Sequence, residues 1–103
     1  MARAKKLPPI HPGEILREEF LKPLSMSMNQ LALALRVPAN RINQIVSGQR
    51  AISADTAFRL ARYFGVGADF WLGLQMQFSL EQAEDELAEK IAREVQPREK
   101  NAA

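Results

Sequence analysis

The chain of 103 residues has no cysteine, and that absence excludes disulfides and thiolate metal sites. It has one histidine and one tryptophan, and no apolar run approaches the roughly 20 residues that span a bilayer. No hydrophobic signal-type segment follows Arg3, Lys5 and Lys6, so the expected location is the cytoplasm. No Ser/His/Asp set, glycine-rich phosphate loop or metal-ligand cluster is visible, so neither an enzyme nor a cofactor is expected. His11 has no ligand or triad partner nearby and suits a helix start or packing. Glu18 and Glu19 are adjacent and point different ways on a helix, a poor acid/base pair.

Apolar residues make up 47% of the chain, enough for a modest core in one small domain, for which dimerisation is a plausible source of extra stability. Net charge is only +2, unevenly spread. Residues 1–62 hold 10 Lys/Arg against 4 Asp/Glu, and residues 63–103 hold 4 against 8. A basic front and acidic back suit a protein that shows one face to a polyanion, although ordinary solvated surface charge explains the same counts.

The pattern is all-α. Residues 1–10 read as a loose basic arm. Pro12-Gly13-Glu14 opens a first helix that runs to about Leu21 and buries Ile15, Leu16 and Phe20 before Pro23. Ser27 and Gln30 have capping-box spacing and start a second helix at Met28, ending near Leu35. Pro38 suits the first turn of a third helix, which continues to Ser47 and is closed by Gly48. Ser53 caps a fourth, whose Ala57, Phe58, Leu60, Ala61 and Phe64 follow the spacing of a buried face. A fifth, apolar nearly all round, covers Ala68 to about Phe78. A second capping-box pattern at Ser79 and Gln82 starts a sixth, to about Val95. The expected organisation is an arm (1–10), a main domain (11–78), a C-terminal helix (79–96) and a frayed tail (97–103).

The informative stretch is residues 28–47, MNQLALALRVPANRINQIVS. Two helices of about eight residues flank a turn at Arg36-Val37-Pro38. Leu31, Leu35, Val37, Ile42 and Ile45 supply an apolar crossing, and small Ala32 allows close approach. This is helix-turn-helix spacing, in which the second helix enters the major groove of double-stranded DNA. Spacing alone also fits ordinary paired amphipathic helices. The remaining face of the third helix adds weight, because it carries amides and a guanidinium but no carboxylate. Ala39, Asn40, Arg41, Asn43 and Gln44 are the candidate base readers, since such side chains pair with adenine and guanine edges. Asn29, Arg36, Ser47 and Arg50 are candidate phosphate contacts.

The chain resembles the HigA-type antitoxins, a branch of the Cro/repressor-like or XRE helix-turn-helix group. The resemblance rests on His11-Pro12-Gly13-Glu14-Ile15-Leu16 with Phe20-Leu21, the helix pair, Gly48, Ile52-Ser53 and Ala57-Phe58-Arg59-Leu60-Ala61. Trp71-Leu72-Gly73-Leu74-Gln75 and Ala83 complete it, over residues 11–83. It implies a lambda-repressor-like fold of five to six helices. It also implies a homodimer that represses its own operon and neutralises a RelE-like ribonuclease toxin. The chain departs from the group at Arg36, where a turn glycine is common, and at Pro38, where a capping Ser or Thr is usual. Arginine in a left-handed turn costs on the order of 1 kcal/mol.

Phe70, Trp71, Leu74, Phe78, Leu87 and Ile91 are the candidate dimer or partner contacts. The stripe Leu80, Ala83, Leu87, Ile91 and Val95 could fold back, pair across a dimer or meet a basic partner. A palindromic operator with half-sites about 34 Å apart fits a two-fold dimer. The rival readings are a solitary XRE-type regulator and a protein-interaction module that does not touch DNA.

Overall fold

The computed structural model describes residues 7–98, whose only regular elements are helices. Residues 1–6 of the expected arm and 99–103 of the expected tail lie outside the described residues; 7–10 are non-helical. Helix α1 (Pro12–Ile15) passes directly into a π-helical segment (Leu16–Leu21). Then come α2 (Met28–Leu35), α3 (Ala39–Val46), α4 (Ala54–Phe64) and α5 (Ala68–Glu94).

The π segment has a packing reason. Its bonds run between residues five apart, as in Lys22 N–H to the Arg17 carbonyl at 3.0 Å. That spacing brings Leu16 and Leu21 onto one face. Both are buried, whereas Ile15 and Phe20 are half-buried. Leu16 and Leu21 join Leu31, Leu35, Ile42, Ile45, Ile52, Ala57, Leu60 and Trp71 in a single core. An aromatic layer extends it, with the Phe20 ring 4.9 Å from both Phe64 and Trp71.

Three expectations about the elements need correction. The fifth and sixth helices are one helix of 27 residues, because neither glycine nor proline interrupts residues 74–94. Ser79 therefore does not cap a new helix. Its hydroxyl accepts from Gln75 Nε2 one turn earlier, at 3.2 Å. Phe58 does not belong to the buried face of α4. It is 66% exposed, while Thr56, Ala57 and Leu60 fill the inner side. Pro38 precedes the first turn of α3 as its N-cap, and Ser47 follows its last residue as C-cap.

Trp71 is also corrected as a contact for a partner. It is 0% exposed, because the phenyl rings of Phe20, Phe64 and Phe70 enclose it. The first half of α5 packs on the core through Trp71, Leu72 and Leu74 and leaves Phe70 and Met76 exposed. The distal half projects away from the core, leaving Leu80, Leu87, Ile91 and Val95 exposed. The radius of gyration, 17.3 Å, accordingly exceeds the roughly 13 Å of a compact domain this size. Among the described residues no helix is long and apolar enough to cross a membrane.

Gly13 sets how closely α1 approaches α3. A Cβ there would collide with the Ile45 carbonyl and crowd the Val46 Cα at 2.9 Å, both backbone atoms. Gly13→Ala must therefore separate the two helices and should cost about 1–3 kcal/mol. Urea unfolding measures it, and stability equal to that of the parent would contradict the packing described.

Candidate nucleic-acid interface

The helix pair is assembled from local signals. The capping box at α2 forms, with the Ser27 hydroxyl accepting from Gln30 N at 3.0 Å and Gln30 Oε1 accepting from Ser27 N at 2.8 Å. Arg36 adopts the left-handed conformation, φ 62°. There its N–H reaches the Leu33 carbonyl at 3.2 Å, and Val37 N–H reaches the Ala32 carbonyl at 3.0 Å. These two bonds close α2 as a Schellman turn and help offset the strain. Pro38 offers no side-chain cap, so the first-turn N–H groups of α3 lack a side-chain acceptor.

Helix α3 buries Ile42 and Ile45 completely, and Val46 is half-buried. Asn40, Asn43, Gln44 and Ser47 are three and four residues apart and so share the opposite face. Asn40, Asn43 and Ser47 are exposed, and Gln44 is half-buried. Ala39 is exposed at the start of the helix, and Asn29 and Arg36 are exposed on α2 and its turn.

Arg41 departs from the expected outward position. Its side chain is 27% exposed, and Nη1 lies 2.7 Å from Asp55 Oδ2 and 3.5 Å from Thr56 Oγ1. Asp55 also accepts from Arg59 Nε at 3.0 Å, and Arg59 Nη1 donates to the Leu35 carbonyl at 2.8 Å. Hydrogen bonds from Arg41 first, then Arg59, hold the Asp55 carboxyl below its ordinary value. The Asp55 carboxylate beside α3 is thus matched by two guanidiniums, which also tie α3 and the end of α2 to α4. Sequence reasoning missed Asp55 and Arg59. Their i,i+4 spacing was a signal for their own pairing, but nothing local pointed to Arg41 or Leu35.

Ser47 and Arg50 are turned toward Gln44. The Ser47 hydroxyl donates to the Gln44 carbonyl at 3.2 Å, and Arg50 Nε donates to Gln44 Oε1 at 2.8 Å. The loop after α3 is held from behind as well. Ile52 N–H donates to Gln75 Oε1 of α5 at 2.8 Å, a tie no local pattern announces. His11 caps α1, its Nδ1 accepting from Gly13 N at 2.9 Å, while its ring packs 4.8 Å from Phe78. Phe78 is half-buried against that ring. Among the described residues no group of three or more His, Cys, Asp or Glu could hold a metal.

Burial lowers the His11 pKa from its ordinary value, and a hydrogen bond to the Arg50 backbone opposes that shift. The folded state therefore takes up a proton less readily than the unfolded chain. The stability this histidine contributes is complete above about pH 6.5 and declines as pH falls below it. His11→Asn keeps an acceptor for the cap but cannot titrate. Urea unfolding from about pH 7.5 to 5 should show the parent losing stability relative to His11→Asn, and parallel profiles would refute this.

The helix-turn-helix family profile matches residues 18–71. Virulence-associated protein I of Dichelobacter nodosus is 54% identical over 85 residues, covering 82% of this chain and 79% of the relative. Antitoxin HigA-1 of Vibrio cholerae is 34% identical over 73 residues, covering 71% of this chain and 69% of the relative. Among solved structures, Pseudomonas aeruginosa antitoxin HigA with the higBA promoter superposes with a TM-score of 0.82 at 49% identity. That match covers 88% of this chain and 99% of the other. The lambda-repressor-like expectation holds, in a class of DNA-binding regulators rather than enzymes. The chain belongs to the XRE-type helix-turn-helix family, in its HigA antitoxin group.

Proposed function

We propose that this protein is a sequence-specific DNA-binding repressor and the antitoxin of a toxin–antitoxin operon, repressing its own promoter and neutralising its partner toxin. The observation that carries the reading is the outward face of α3, where Asn40, Asn43 and Gln44 present amides and the helix holds no carboxylate. Those three side chains read base edges, with Ala39 close enough for apolar contact with a thymine methyl. Arg41 braces the helix through Asp55 and would reach a base only by leaving that carboxylate. Asn29 and Arg36 meet phosphates and fix register, and Ser47 and Arg50 border the same backbone path.

The protein acts as a homodimer in the cytoplasm, pairing through the distal half of α5. An isolated helical extension with exposed Leu87 (43%) and Ile91 (49%) is marginal in water and gains stability from a second copy. Antiparallel pairing sets the acidic residues 81–89 against Lys90 and Arg93. Phe70 and Leu74 lie at the inner end of that surface, next to the core. The toxin it neutralises is a RelE-like ribonuclease, the class implied by the HigA resemblance.

A titration comparing a palindrome from the protein's own promoter with random DNA of equal length tests this reading. The palindrome should be preferred, and log affinity should fall linearly with log salt as phosphate counterions are released. Asn43→Ala should cost about 1–3 kcal/mol and relax preference at one base pair. Leu87→Asp should reduce palindrome binding to that of a single half-site. Equal binding to palindrome and random DNA contradicts sequence-specific repression.

A further inference from the structure

The loop after α3 does more than end the helix. Gly48, at φ 82°, reverses the chain, and the backbone N–H groups of Gln49 and Arg50 return to the Gln44 carbonyl at 2.8 and 3.2 Å. This places the Arg50 side chain alongside Gln44, where Nε donates to Oε1 at 2.8 Å. The loop is further secured by the Ile52–Gln75 bond two residues on.

That bond fixes which way round the amide is used. A glutamine that reads adenine needs Nε2 to donate to N7 and Oε1 to accept from the N6 amino group. Here Arg50 already takes one of the two lone pairs of Oε1. An approaching N6 amino group would also meet the guanidinium, donor against donor. The remaining edge is rich in donors, Gln44 Nε2 and the Arg50 Nη groups, against one lone pair left on Oε1. Guanine presents two acceptors, N7 and O6, to the major groove. We propose that Arg50 is a specificity-determining positioning residue, which locks Gln44 as a hydrogen-bond donor and turns it from an adenine reader into a guanine reader.

The proposal rests on the base-reading role of α3, and the test separates the two. Operators randomised in sequence are selected with the full-length parent, Gln44→Ala and Arg50→Met, and the bound pools are sequenced. Arg50 is exposed and Gln44 half-buried, and thermal melting checks that both variants fold like the parent. The parent should favour guanine at the position whose preference vanishes in Gln44→Ala. In Arg50→Met the freed Oε1 should let adenine overtake guanine there, a change in their ratio on the order of tenfold. If Arg50→Met weakens all sequences equally and leaves that preference intact, Arg50 is only a phosphate contact and the inference is overturned. A parent that already favours adenine there overturns it too. If Gln44→Ala alters preference nowhere, base reading by this residue fails, and the inference fails with it.

Discussion

Ile42 and Ile45 are wholly buried against α2 and the opening helix, and that burial turns the polar face of α3 outward. Full burial of each such side chain contributes roughly 1.5–3 kcal/mol, more than any surface ion pair. It works at this distance only because Gly13 lets α1 touch the α3 backbone and Ala32 keeps the crossing narrow. The Arg41–Asp55–Arg59 bridge adds direction more than stability. It ties α3 to α4 and matches the Asp55 carboxylate beside α3 with two guanidiniums.

Charge and shape act together on the chain as a whole. The basic first part carries the helix pair, while the acidic residues gather on the distal half of α5, which projects from the core. An acidic segment held away from α3 does not repel a polyanion there, and its apolar stripe stays available to a second copy. Gln75 and Phe78 join the inner part of this helix to the loop after α3, through Ile52 and His11 respectively. The element proposed to dimerise therefore also supports the loop that orients Gln44.

Much of the fold was legible because its signals are local. The Ser27 capping box, the left-handed Arg36 turn and the Ile42–Ile45 spacing each depend on a few neighbouring residues. The misreadings involve competition between local and distant effects. Ser79 and Gln82 satisfy a capping pattern, yet continuous helical bonding through residues 68–94 wins. Phe58 fits the helical stripe of α4 but falls beyond the reach of the core. Trp71 suits an interface by type, but three phenyl rings claim it. The roles of Arg41 and Arg50 were hidden for a related reason. One meets Asp55, 14 residues away, and the other folds back on Gln44 only because Gly48 turns.

The proposed DNA recognition rests on the exposed amide face of α3, held out by buried isoleucines. Nitrogen-15 NMR of the full chain during titration with its promoter palindrome observes that face directly, since the side-chain NH2 groups of asparagine and glutamine give separate signals. Saturable shifts of the Asn40, Asn43 and Gln44 side chains, larger than those from random DNA, are the expected result. Shifts that instead leave these three unmoved, while saturating elsewhere on the molecule, would contradict recognition through α3.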